Sequence, residues 1–249
     1  EAHNIYGMQM SRASFEGLKE LQPAKRPFLL TRASYSGGQR YAALWTGDNV
    51  ASWDHLSMAN RQCVRLSISG FSFVGTDIGG FVNEPTGDLM VRWLQLAIFH
   101  PVMRVHSMGN NADGAAEAEA DEVKKAEELN RQNQEPWAYG EPFTSDARKA
   151  IEQRYRLLPY LYTAFRHHLT TGQPLLRNLF FEDQTDPMCR RFGDQFFCGD
   201  DILVAPVVKE KVKTITLYLP KGDWYDFYKG KHFVGGKKYK ITTKSDRIP

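Results

Sequence analysis

Apolar and polar positions divide this chain into two regimes. Over residues 27–106, short apolar runs each end at a polar residue, and stretches of helical period separate them. Pro27-Phe28-Leu29-Leu30-Thr31 closes on Arg32, and the run from Tyr41 to Trp45 leads through Thr46-Gly47 to Asp48. Phe71-Ser72-Phe73-Val74-Gly75-Thr76 leads to Asp77, with Gly79-Gly80-Phe81 turning the chain behind it. Val102-Met103-Arg104-Val105 leads to His106. The intervening periodicity predicts helices from about Ser52 through Met58, Val64 and Leu66, and over 89–99 as an amphipathic helix stopped by Pro101. Strands alternating with helices predict parallel βα units and an α/β class. Parallel units of this kind expose the C-terminal ends of their strands, which places Arg32, Asp48, Asp77 and His106 at equivalent mouths.

Residues 3–21 also read as a helix, with Tyr6, Met10, Phe15 and Leu18 on the apolar face and Ser11, Arg12 and Glu16 on the other. Residues 111–134 are Ala- and Glu-rich with few apolar anchors and read as a surface insertion. Residues 145–169 form a strong helical pattern, capped by Thr144 or Ser145 and kinked by Pro159. Its expected buried stripe is Ile151, Tyr155, Leu158, Leu161, Tyr162 and Phe165. Beyond Gly172-Gln173-Pro174 the period changes to short strand-like runs at 175–181, 202–208, 212–219 and 224–228. That change marks a boundary, giving an α/β unit over 1–175 and an all-β unit over 176–249.

Composition changes this picture little. With 42% hydrophobic and 24% charged residues in 249, the chain can bury a sizeable core, and no apolar run approaches a membrane span. The N-terminal Glu1-Ala2-His3-Asn4 has no basic-then-apolar signal pattern, and a start without Met reads as cut from something longer. Cys63, Cys189 and Cys198 have no metal-ligand spacing and read as buried free thiols. The net charge of +3 is uneven: residues 209–249 carry 11 Lys or Arg against 4 Asp or Glu. A basic tail raises nucleic acid as a partner, but these lysines alternate with β-formers, the pattern of a solvated strand face.

The candidate chemistry lies in the α/β unit. Two carboxylates, a fixed cation and an imidazole, flanked by Trp45 and Phe81, suit a sugar. Hydroxyls pair with carboxylates and arginine, while aromatic rings pack on C–H faces. Glycoside hydrolysis needs two carboxyl groups, one protonated for the leaving oxygen and one ionised. A metal site is the weaker reading, because no close-spaced ligand pair accompanies the two Asp and one His.

Several segments together resemble glycoside hydrolase family 31, the α-glucosidase family. They are Arg26-Pro27-Phe28-Leu29-Leu30-Thr31-Arg32, Leu44-Trp45-Thr46-Gly47-Asp48-Asn49, Phe73-Val74-Gly75-Thr76-Asp77-Ile78-Gly79-Gly80-Phe81 and His100-Pro101-Val102-Met103-Arg104-Val105-His106. His3-Asn4-Ile5-Tyr6-Gly7, Gly199-Asp200-Asp201-Ile202-Leu203-Val204-Ala205-Pro206 and Trp224-Tyr225-Asp226-Phe227 match as well. The resemblance implies the C-terminal portion of a (β/α)8 TIM barrel followed by an incomplete, sandwich-like all-β domain. It implies Asp48 as general acid/base, Arg32 near the nucleophile, Asp77 and His106 on glucose hydroxyls, and Trp45 and Phe81 as walls of that subsite. No cofactor is implied. The implied substrate is an α-linked oligosaccharide with a terminal glucose, cleaved with retention.

One departure qualifies the resemblance. The family nucleophile is an Asp in a Trp-x-Asp-Met-Asn-Glu element just before the segment matching His3–Gly7, and this sequence contains no such element. The expected partner is therefore the N-terminal half of the same enzyme. The chain alone is expected to be inactive and poorly soluble. The alternative is a non-catalytic sugar-binding module.

Overall fold

The structure is a computed structural model and describes residues 2–108 and 134–249. The expected insertion at 111–134 lies outside the described residues, except for Gln134. That residue is buried and hydrogen-bonded, so the surface reading fails at its last position.

Four short parallel strands form the central sheet in chain order: β1 (Leu30–Thr31), β2 (Ala43–Trp45), β3 (Val74–Ile78) and β4 (Val102–Val105). All five residues of β3 are buried. Its Val74 and Ile78 join the main core, and Thr76 accepts a hydrogen bond from Trp93 Nε1 at 2.9 Å. Gly75 and Asp77 alternate to the opposite face. Gly75 is required by close approach: a Cβ there would lie 2.0 Å from the carbonyl oxygen of Val102, its register partner on β4.

Helix α1 (His3–Leu21) forms where expected but turns its other face inward. Gly7 and Ser11 are buried, while Tyr6 and Met10 are exposed. The backbone of α1 passes so near the loop after β1 that a Cβ on Gly7 would meet Ala33 O at 2.6 Å. Only small residues fit that seam, and this overrides the apolar stripe. In α2 (Trp53–Ile68), Ser52 Oγ accepts from His55 N at 3.2 Å, and Leu56, Ala59, Cys63, Val64 and Ser67 are buried.

Helix α3 (Gly87–Ala97) departs from the amphipathic expectation, being buried almost all round. Its polar residues bind backbone: Arg92 Nη1 donates to Lys244 O at 2.7 Å and Gln95 Nε2 to Ser245 O at 2.6 Å. Helix α4 (Phe143–Thr171) starts after Pro142 with no side-chain cap, so neither Thr144 nor Ser145 caps it. Its buried residues are Asp146, Ala147, Ala150, Leu157 and Leu161, whereas Tyr155, Leu158 and Tyr162 are exposed. Arg154 draws that face inward by donating to the carbonyls of Ile98, His100 and Pro101 at 2.7–2.9 Å, beyond the end of α3.

After α4 the chain is β-rich. Strand β5 (Leu176–Asn178) ends in the one-turn helix α5 (Leu179–Glu182), so the expected run at 175–181 is half strand. The strands β6 (Phe196–Cys198) and β7 (Ile202–Val204) complete an antiparallel sheet in the order β5-β6-β7. Two antiparallel pairs come next: β8 (Thr214–Leu219) with β11 (Lys237–Thr242), and β9 (Asp223–Tyr225) with β10 (His232–Val234). On β11 the lysines are exposed and Tyr239 and Ile241 are half-buried, the alternation of a solvated face. One core runs through both regions, joining Leu44, Val74 and Trp93 to Leu176, Phe196, Val204 and Ile248. Cys63, Cys189 and Cys198 are buried and free.

Gly75→Ala is expected to cost at least about 3 kcal/mol, because backbone rather than a flexible side chain obstructs the new Cβ; urea unfolding of the purified variant measures it. His100 gives a second expectation. It is fully buried, neither ring nitrogen has a hydrogen-bond partner among the described residues, and burial with Arg154 nearby brings its pKa down to about 3. The unfolded chain binds this proton near pH 6.5 and the folded chain does not, so stability falls as pH drops from 6.5 toward 3. Between pH 6.5 and 4 the loss is roughly 3 kcal/mol. His100→Leu should flatten that slope in unfolding titrations at the two pH values.

Candidate active site

Parallel pairing puts the C-terminal ends of β1 to β4 along one edge, and the six residues singled out from the sequence gather there. Arg32 follows β1, and Asp48 stands three residues beyond β2. Arg32 Nη1 donates to Asp48 Oδ2 at 3.2 Å, and both side chains are about half exposed. Gly47 makes this crossing possible. It has φ +82°, and a Cβ there would meet Arg32 Cδ at 2.9 Å. Water screens so exposed a pair, which adds little to stability.

Asp77 differs from expectation. It lies inside β3, one residue before its end, and is fully buried. Arg104 Nη2 donates to its Oδ1 in a short ion pair. Arg104 is the register partner of Asp77 on β4. Its guanidinium also lies over the Trp45 ring, 5.2 Å from the centroid. Burial pushes the Asp77 carboxyl upward, and Asp48 adds to this. Arg104, and then His106, pull it back. These influences reach Asp77 from the ends of both flanking strands, so the charged groups share one small volume.

The loops behind the strands are stitched together. Asn49 Nδ2 donates to Asp77 O at 3.1 Å, and Asn49 Oδ1 accepts from Phe81 N at 2.9 Å. Val50 and Val82 form a parallel bridge beside it. Gln134 Nε2 donates to Ile78 O at 2.7 Å and Gly80 O at 3.0 Å. Phe81 is thereby fixed against His106, with ring centroids 5.4 Å apart and planes at 29°.

Arg104, Asn49 and Gln134 were not singled out by the sequence reading. Arg104 had a signal, because two residues before His106 on a strand means the same face. Asn49 and Gln134 had none, since their value lies in carbonyls contributed by distant loops. The buried atoms Asp77 Oδ2, Trp45 Nε1, Thr46 Oγ1 and Arg104 Nε have no hydrogen-bond partner among the described residues. Buried polar atoms without partners are uncommon in folded proteins, and here they cluster at the strand ends that carry the candidate residues. Among the described residues no group of three His, Cys, Asp or Glu is arranged to hold a metal ion.

A 430 Å³ cavity in the β-rich region, lined by Trp224, Tyr225, Phe227 and Asp226 among others, shares no lining residue with these strand mouths.

The family model described as the glycosyl hydrolases family 31 TIM-barrel domain matches residues 1–164, and that of the family 31 C-terminal domain matches residues 172–249. Alpha-glucosidase 2 of Bacillus thermoamyloliquefaciens is 39% identical over 249 residues, covering 100% of this chain and 29% of the relative. Neutral alpha-glucosidase C of Mus musculus is 38% identical over 252 residues, covering 100% and 26%. Among solved structures, the Flavobacterium johnsoniae GH31 dextranase complexed with glucose superimposes with a TM-score of 0.87 at 31% identity, covering 100% of this chain and 30% of that one. A Tris-bound glucosidase II alpha subunit gives a TM-score of 0.87 at 32% identity, covering 99% and 25%. The chain thus spans about three tenths or less of the length of these relatives. With two family models matched in tandem and its strands and β-rich region in place, this chain belongs to glycoside hydrolase family 31.

Proposed function

We propose that this chain supplies the acid/base and part of the glucose-binding wall of a retaining α-glucosidase. The observation that carries the reading is the convergence of Arg32–Asp48, Asp77–Arg104 and His106–Phe81 at the mouths of contiguous parallel strands. Asp48 is the general acid/base. It is the half-exposed carboxylate of the two, able to meet the glycosidic oxygen and exchange protons with water. Asp77 and His106 receive hydroxyls of the terminal glucose. Trp45 and Phe81 enclose its ring, and Arg32 orients Asp48 toward the bond being broken.

The second carboxylate of a double displacement is not available among these residues. Asp77 is tied to Arg104 by an ion pair and is unsuited to attack, so the nucleophile comes from polypeptide outside this sequence. That polypeptide, the other half of the barrel, is the proposed partner, and α-linked oligosaccharide with a terminal glucose is the proposed substrate. In this reading residues 1–175 are the second half of the barrel and residues 176–249 belong to the C-terminal β domain. A sugar-binding role without turnover is the second reading, and the missing second carboxylate favours it for this chain taken alone.

In the full-length protein, Asp48→Asn should lower kcat on an aryl α-glucoside by about 10²–10⁴-fold while leaving binding of glucose nearly unchanged. Turnover near the unsubstituted level would reject Asp48. The isolated chain should take up glucose or maltose weakly in a calorimeter and release no product from maltose. Release of glucose by that chain would show that a nucleophile is present after all.

A further inference from the structure

The Asp77–Arg104–Trp45 contact is more than three neighbours in a barrel. We propose that Arg104 is a positioning residue that locks Asp77 and Trp45 into one unit at the strand mouths. The inference rests on the glucosidase reading above and deepens it.

Three features of geometry carry it. Asp77 and Arg104 are directly paired in the β3–β4 register, and Trp45 is paired with Gly75 two residues earlier on β3. The three side chains therefore rise on one face of three adjacent strands. Gly75 lets β3 and β4 approach closely, because a Cβ there would strike Val102 O. Arg104 bonds one oxygen of Asp77 and lies over the Trp45 ring. A buried carboxylate without a counter-ion is strongly destabilising, so Arg104 opposes the burial that pushes the Asp77 carboxyl upward. Arg104 engages Oδ1, and Oδ2 is buried without a hydrogen-bond partner among the described residues.

The planar guanidinium is needed for both contacts. A lysine could neutralise Asp77 but could not lie flat over Trp45. The charged and titratable groups facing Asp77 are Arg104 and His106 from β4 and its end, and Asp48 from the end of β2, itself paired with Arg32.

The test uses the full-length protein with 4-nitrophenyl α-glucoside. Arg104→Met should lower kcat/KM about 100-fold. The acid limb of its pH profile should move to higher pH, since burial then acts on Asp77 with less opposition. Arg104→Lys should return the acid limb to its original position while KM stays raised, because the contact with Trp45 is not restored. Should Arg104→Met fail to fold, Asp77→Asn/Arg104→Met carries neither buried charge. Its kcat/KM should lie within about tenfold of Asp77→Asn, the remaining loss coming from the contact with Trp45. The proposal is overturned by an Arg104→Met enzyme with unmoved acid limb and near-normal kcat/KM, by a lysine variant whose limb stays with the methionine one, or by a double variant more than about tenfold worse than Asp77→Asn. An unsubstituted enzyme inactive on α-glucosides overturns the glucosidase reading, and this proposal with it. Activity in that enzyme together with an unaffected Arg104→Met overturns the proposal alone.

Discussion

A carboxyl group with no solvent access sits in the middle of a parallel sheet, where burial pushes its pKa up and Arg104 on the neighbouring strand opposes that push. Asp77 lies on a strand buried along its whole length, and Arg104 reaches it from the neighbouring strand at the same register. Such a pair is tolerable only with good geometry, because desolvation of two charges consumes most of their attraction. The geometry depends on β3 and β4 being close, which Gly75 allows, and on β3 being held from behind, where Trp93 bonds Thr76. A slip of one residue in register would turn Asp77 into the helical layer and Thr76 into the site.

The same device recurs at the joints of the fold. Arg154 gathers three carbonyls beyond α3, Arg92 holds the 244–247 segment against that helix, and Arg177, almost fully buried, bonds Pro174 O, Gly199 O and the Asp200 carboxylate. Guanidinium offers five donors in a fixed fork and satisfies several backbone oxygens at once. Buried carbonyls where the βα region meets the β-rich region need donors, and these guanidinium groups supply them. The shared hydrophobic core and these arginines together explain why the two regions pack as a continuous body despite their different secondary structure.

The two acids of the site occupy opposite environments. Asp77 is sealed and bound on one oxygen, while Asp48 is half in water with a half-exposed arginine. A group that recognises hydroxyls gains from rigidity, since ordering is complete before the ligand arrives. A group that passes protons needs access to solvent or to the leaving oxygen. Under the proposed function, burial is what separates two chemically identical side chains into different kinds of work.

The order of strands and helices and the polar residues that end the runs were legible in the sequence because both are local. A short apolar run names a strand, and the polar residue at its end names the mouth. Four of the family motifs sit on those same mouths and were legible for the same reason. Faces were not legible. Helix α1 turns Gly7 and Ser11 inward, and α4 turns out Tyr155 and Tyr162, because the choice of face depends on how closely the partner approaches and on where buried donors are needed. Strands β6 and β10 are three residues each, too short to show a period before their partners are known. Helical or extended backbone is set by neighbours along the chain. The contact between Asp77 and Arg104 joins positions 27 apart, and only the register of two strands in space could decide it.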